Sequence, residues 1–305
     1  VKKWMFSLLV LLASLSLVAC GNQASSGQTG KGMKIVTSFY PVYALTKEVS
    51  GDLNDIRMIQ SGQGIHGFEP SVADIQAIYD ADVFFYHSHI LESWGGAIDP
   101  NEAKSDVILI ETAKDLDLQR VEGLEDVEVG PGVDPATLYD PHSWLDPVLV
   151  ADQAETIARE LGQLDPDNKD YYQKNADALK KEFLELNDKY QKIFKQTSQK
   201  TFVTQHTAFA YTAKRFGLQQ LGVLGVAEEE PSPRQLAEIE EFIKDYKVKT
   251  IFVEKGVSDK MAQTLKQATG VKLTLLDPLE GDPKSQKSYI QLLEENLAIL
   301  ANELK

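Results

Sequence analysis

Tyr172, Ala176, Leu179, Phe183, Leu186, Tyr190 and Ile193 follow one another at alternating spacings of four and three residues. That rhythm keeps all seven on one face of an α-helix. It predicts a helix of about 28 residues within 167–197, roughly 42 Å long at 1.5 Å per residue, which is the length of a whole domain. A helix so long, with one apolar stripe, has to lie across something. We expect it to join two lobes and pack on both; an ordinary helix inside one domain is the competing arrangement.

The flanking segments fit two lobes. Lys34–Thr37, Ile56–Ile59, Val83–Tyr86 and Val107–Ile110 read as strands, the last two of the fully buried type. A helix opens near Pro41, and Ser71-Val72-Ala73-Asp74 is a capping box for another that runs to Tyr79. A helix from Asp146 to Leu161 precedes the long one. Beyond it, Thr201–Thr204, Leu221–Leu224, Thr250–Val253 and Lys272–Leu276 are strands. One helix between them is capped at Ser232-Pro233, and a last one runs from about Ser288 to Leu304. Strands alternating with helices indicate parallel α/β lobes. We place them at 33–166 and 198–305. Lys114–Tyr139, acidic and interrupted by Gly130-Pro131-Gly132, reads as a long exposed loop.

The first 19 residues have the character of a secretory leader: Lys2 and Lys3, an apolar run shorter than a membrane span, then Leu17-Val18-Ala19. Cys20 follows. Small residues before a cysteine resemble the lipobox of bacterial lipoproteins, so Cys20 is expected to be acylated and to become the new N-terminus. It is the only cysteine, so the folded part has no internal disulfide, and an exposed free thiol outside the cell would be a liability that acylation removes. A diacyl anchor suffices for stable membrane residence. Residues 20–32, mostly Gly, Ser, Gln and Thr, form a flexible tether.

The formal charge is −15 at pH 7, and loss of the leader with its two lysines makes it more negative. Nucleic acid is excluded as a partner, since phosphate binding needs basic surface.

Five histidines occur, and three share a position in the expected architecture. His66 lies beyond the second strand, His142 sits in Asp140-Pro141-His142-Ser143-Trp144 after the acidic loop, and His206 ends the first strand of the second lobe. Glu280 follows the last strand in Leu276-Asp277-Pro278-Leu279-Glu280. Ligands of open parallel sheets gather beyond the carboxyl ends of the strands. Three imidazoles and one carboxylate suit zinc, whereas manganese prefers more oxygen. Two ligands from each lobe would put the metal between them. A lone histidine beside a Pro or Gly turn is commonly a turn residue, and His87-Ser88-His89 is a second candidate pair.

These segments together resemble the cluster A-I metal-binding lipoproteins of ATP-binding-cassette importers, in particular the zinc branch that includes laminin-binding adhesins. The likeness covers nearly the whole mature chain. It rests on Ile65-His66-Gly67-Phe68-Glu69-Pro70-Ser71, Asp140 to Pro147, His206-Thr207-Ala208-Phe209-Ala210-Tyr211, Glu230-Pro231-Ser232-Pro233 and Leu276 to Glu280, in that order. The resemblance implies two Rossmann-like lobes joined by a rigid helix, with Zn2+ at their interface. It implies His66, His142 and His206 as ligands, with Glu280 as the fourth, or Asp277 as in manganese-type members. The histidine-rich loop of many zinc members is missing from Lys114–Tyr139.

The expected function is capture of Zn2+ on the extracellular face of the membrane, by a lipid-anchored monomer, and its handover to an ABC permease. Loops carrying His66 or Glu280 would move rather than whole lobes, and affinity would fall below about pH 6.5 as histidines protonate. Two rivals are a matrix adhesin and a zinc hydrolase with Glu69 or Asp146 as base. No H-E-x-x-H signature supports the hydrolase, and we expect no enzymatic activity.

Overall fold

The computed structural model describes residues 32–60, 62, 64–122, 124 and 138–305. The leader, Cys20, nearly all of the tether and the middle of the acidic loop lie outside them. In the first lobe β1 (Lys34–Thr37), β2 (Asp55–Met58), β3 (Val83–Tyr86) and β4 (Ile108–Glu111) form a parallel sheet of order β2-β1-β3-β4. In the second, β5 (Thr201–His206), β6 (Gln219–Leu224), β7 (Thr250–Val253) and β8 (Lys272–Leu275) repeat it as β6-β5-β7-β8. Each sheet therefore reverses its winding direction beside its first strand, between β1 and β3 or between β5 and β7. The crevice at such a reversal is where open α/β sheets bind ligands.

Burial follows position in the sheet. The central strands β5 and β7 are buried along their whole length, while the edge strands β2, β6 and β8 are mostly half-buried or exposed. Strand β4 departs from the expected buried type: it is an edge, and Ile108 is 43% exposed. A continuous apolar run cannot tell a central strand from an edge, because the missing neighbour is a tertiary property.

Helices α1 (Tyr40–Ser50), α2 (Val72–Tyr79), α3 (Pro100–Ala103) and α4 (Pro147–Leu164) belong with the first sheet. The predicted capping box of α2 is present: Ser71 Oγ accepts from Asp74 N–H, and the Asp74 carboxylate accepts from Ser71 N–H. Then comes the long helix, α5 (Lys169–Lys195, 27 residues), and, with the second sheet, α6 (Ala210–Phe216), α7 (Pro233–Asp245), α8 (Lys260–Thr269) and α9 (Tyr289–Glu303).

The alternation of strand side chains divides the interior. Val36 and Phe84 face a cluster private to the first lobe, and Val203, Ile251 and Val253 face one private to the second. The opposite faces (Ile35, Val83 and Phe85 in one sheet, Phe202 and Phe252 in the other) share a single core with α1, α4, α5 and α9. Helix α5 contributes Tyr172, Ala176, Phe183, Leu186, Tyr190 and Phe194 to that core. The stripe ends on Phe194, with Ile193 only partly buried. Met33–Lys305 thus forms a compact unit with one core running through both lobes. Among the described residues no helix is long and apolar enough to cross a membrane.

Polar ties reinforce the junction. Trp144 Nε1–H donates to Pro278 O (2.8 Å), Tyr289 O–H to Trp144 O (2.7 Å), and Tyr211 O–H to Asp140 O (2.7 Å). Arg215 Nε meets both oxygens of Asp146 at 2.8 and 3.0 Å. Parting the lobes would expose Trp144 and Tyr289, both fully buried, at about 3 kcal/mol each before any hydrogen bond is counted. Wide clamshell opening is therefore costly.

Candidate metal centre

His206 is the last residue of β5, and its position is fixed through its own backbone: its carbonyl accepts from Thr204 Oγ1 (2.6 Å), Gln220 Nε2 (3.2 Å) and Ala208 N–H (3.0 Å). The ring is buried. Nε2–H donates to Val226 O at 3.0 Å, which leaves Nδ1 with its lone pair facing the cleft. His142 caps the 3₁₀ turn Ser143–Leu145. Its Nδ1 lies 2.7 Å from Asp140 Oδ1, so Nδ1 carries a proton and Nε2 points inward. A carboxylate behind an imidazole is the usual device for fixing the tautomer of a metal-binding histidine. His66 comes from the loop after β2, and its Nε2 stands 3.0 Å from His142 Nε2.

Glu280 closes the set. The residue before it, Leu279, has φ +59°, a left-handed conformation that a bulky side chain adopts only when its surroundings impose it. The turn is held by Asp277 Oδ1, which accepts from Leu279 N–H at 2.8 Å. Asp277 is thereby committed to the backbone, and the acid that reaches the histidines is Glu280. Its Oε2 accepts from Ile65 N–H (3.3 Å) across 215 residues of sequence. Its Oε1 is buried, has no hydrogen-bond partner, and lies 3.7 Å from His66 Nε2, His142 Nε2 and His206 Nδ1 alike.

One atom from each of these four side chains falls within 4.8 Å of the others. A tetrahedral ion with bonds of 2.0–2.1 Å needs ligand atoms about 3.3 Å apart. The separations of 3.0 and 3.7 Å bracket that edge. The donor set fits a four-coordinate zinc(II) ion.

Ionisation follows from the same contacts. Burial, then the neighbouring His142, holds the His66 imidazole down at about 3. Burial opposes protonation of His206, yet Glu254 and Glu280 push it up to about 9. His142 is likewise raised: burial works against it and Asp140 overcomes it. Burial would lift Glu280, but the nearby His142, His206 and His66 imidazoles bring it down to about 2. With no metal bound, protons on His142 and His206 balance the carboxylates around them.

The second candidate pair does not converge. His87 is buried against Phe39 and Trp144, with Nε2 2.8 Å from Pro141 O, while His89 is exposed beside Glu111. Of the two acids considered as a hydrolytic base, Asp146 caps α4 and pairs with Arg215, and Glu69 is exposed.

Sequence reading missed Glu254, the residue directly after β7, whose Oε1 lies 3.3 Å from His206 Nδ1. It also missed Asp140 as the partner of His142. The strand-end position that singled out His206 applies equally to Glu254, and the spacing of Asp140-Pro141-His142 makes a local carboxylate–imidazole contact possible.

The family described as zinc-uptake complex component A, periplasmic, matches residues 35–303. The high-affinity zinc uptake system protein ZnuA of Bacillus subtilis is 34% identical over 99% of this chain and 98% of its own length. The zinc-binding lipoprotein AdcA of Streptococcus pneumoniae (strain R6) is 38% identical over 96% of this chain, which spans only 59% of AdcA. Among solved structures, a Zn(II)-bound variant of S. pneumoniae AdcAII is 60% identical with a TM-score of 0.86, covering 90% of this chain and all of that one. The laminin binding protein Lmb of Streptococcus agalactiae, described as bifunctional with adhesin and metal transporting activity, is 55% identical with a TM-score of 0.83 over the same shares. With two repeated parallel sheets, a long helix between them and a match from end to end of both lobes, the chain belongs to the zinc-uptake complex component A family.

Proposed function

We propose that this protein is the extracytoplasmic receptor of a zinc importer of the ABC type. It captures Zn2+ with His66, His142, His206 and Glu280 and presents it to a membrane permease. The lobes at 33–166 and 198–305 and the connecting segment 167–197 act as one stiff frame. Acylated Cys20 and the tether keep it at the outer face of the membrane as a monomer. The observation that carries this reading is the convergence of three imidazole nitrogens on the unpartnered, buried Glu280 Oε1.

Zinc is the cargo, and the protein's part is to position donors and exclude water. His66 is already neutral and Glu280 already ionised at neutral pH, so both are ready to coordinate. Capture displaces protons from His142 and His206. Because the shared core opposes separation of the lobes, release depends on the loops that carry His66 and Glu280.

The test is a competition on Met33–Lys305. After metal removal, equal zinc and manganese are offered and the bound metal is read by native mass spectrometry, beside His206→Ala. One zinc per chain, lost or loosened in the variant, is expected. Manganese winning, or no metal at all, would overturn the assignment.

A second reading, attachment to a matrix protein, draws on the likeness to Lmb. Surface-immobilised laminin that retains the wild-type chain and a metal-ligand variant equally would support an adhesive face independent of the metal; no retention would end it.

A further inference from the structure

His206 Nδ1 belongs to two sets of potential ligands. One is the four-residue centre described above. The other is His206, Glu228 and Glu254, whose ligand atoms also lie within 4.8 Å of one another. Nε2–H is committed to Val226 O, so a neutral His206 has a single lone pair, on Nδ1. That atom is buried and has no aligned hydrogen-bond partner. It stands 3.3 Å from Glu254 Oε1 and 3.7 Å from Glu280 Oε1, between an acid of each set.

Apart from the proton that His206 itself carries when no metal is bound, and which zinc at the inner centre displaces, the outer acids have no cationic partner among the described residues. The Glu254 side chain is 8% exposed and Glu228 is half-buried, yet among the described residues no lysine or arginine forms an ion pair with either. Sequestered carboxylates without a counter-charge are expensive. The Glu228 carboxylate also faces the first lobe: a Cβ on Gly64 would lie 4.0 Å from its Oε2. A cavity of about 240 Å³ is lined by Glu254 and Glu280, one acid from each set.

We propose that His206, Glu228 and Glu254 form a second, outer position for a divalent cation, from which the ion passes to the inner centre. This rests on the reading that the inner four residues hold zinc. One lone pair serves one ion, so the two positions are alternatives for a single ion that pivots about His206 Nδ1. Two carboxylates and one imidazole hold zinc less tightly than three imidazoles and a carboxylate, which suits a position occupied in passage.

Two measurements test it. In stopped-flow transfer of Zn2+ from the protein to a fluorescent chelator, Glu228→Gln/Glu254→Gln should release the ion at least about tenfold more slowly than wild type. Glu230→Gln, which removes one nearby charge outside the set, should stay within about twofold at 0.15 M salt, where exposed charges are screened. In crystals of His66→Ala/His142→Ala soaked with Zn2+, an anomalous peak should appear within bonding distance of His206 Nδ1 and the two outer carboxylates. Unchanged release in the double glutamine variant, or a well-folded inner-site variant with no peak there, overturns the outer position. Wild type that binds one zinc while failing these tests leaves the receptor reading intact; wild type that binds no zinc overturns both.

Discussion

The two lobes repeat one topology and spend the same positions differently. The residue directly after β3 is His87, and the residue directly after the equivalent strand β7 is Glu254. His87 is walled off by Phe39 and Trp144, its ring Nε2 meets Pro141 O and Ser143 Oγ, and burial holds it neutral, down at about 4. Glu254 lies beside His206 in the cleft. The loops after the second strands carry His66 and Glu228, and those after the fourth strands carry His142 and Glu280. A position beyond a parallel strand is therefore only an opportunity for chemistry. Aromatic side chains that close over it make a packed histidine, and convergence with other donor atoms makes a group able to coordinate.

The sharpest test of that contrast is to remove each histidine in turn. His206→Ala should cost at least about 100-fold in zinc affinity, above the 10–100-fold range typical of groups that only support a ligand. His87→Ala should keep one zinc per chain and instead lower unfolding free energy by about 2–4 kcal/mol, as loss of a buried, packed side chain does. Isothermal titration and denaturant unfolding separate the two. Equal loss of zinc from both would break the comparison.

Asp140→Asn leaves the shape of the His142 support and removes its charge; affinity should fall about 10–100-fold. Affinity matching wild type in the same titration would mean that the tautomer of His142 is held by something other than Asp140.

The pH dependence sharpens the ionisation pattern. His206 is raised to about 9 and His142 is raised as well, so zinc must displace protons throughout the neutral range. Affinity should decline from about pH 9 downward, earlier than the value of about 6.5 that unperturbed histidines suggest. Below pH 6.5 each zinc should release about two protons, measured as proton uptake by buffers of differing ionisation enthalpy. The linked effect on the metal-free fold has the opposite sense. A raised pKa stabilises below the unfolded value of about 6.5, and the contribution is lost as pH climbs through about 9. Metal-free protein should therefore unfold more readily at pH 9 than at pH 6.5 on account of His206. A flat affinity profile from pH 6 to 9 would contradict it.

The smallest effect concerns the frame. Trp144→Phe keeps most of the apolar contact and removes the donation to Pro278 O. A loss of about 1 kcal/mol in unfolding free energy is expected. A much larger loss would mean that this bond holds the lobes together on its own, against the shared core.

The local rules were legible because they act over a few residues. The spacing from Tyr172 to Ile193 foretold α5 and its place in a shared interior, and Ser71 and Asp74 foretold the start of α2. The strand-end rule brought out His66, His142, His206 and Glu280, and the order of motifs brought out the family. The helical stripe slipped by one residue at its end, from Ile193 to Phe194, because the helix repeats every 3.6 residues and not every 3.5.

Sequence by itself thus determined the alternating elements, the long helix and which histidines stand beyond strands, since periodicity, capping and chain order are properties of neighbouring residues. Tertiary structure alone decided that Glu280 and not Asp277 reaches the histidines, that His87 is sealed, and that Glu228 and Glu254 flank His206. Those outcomes depend on ångström-scale approach between groups as far apart as Ile65 and Glu280, and such approach is set only when both lobes pack onto one core.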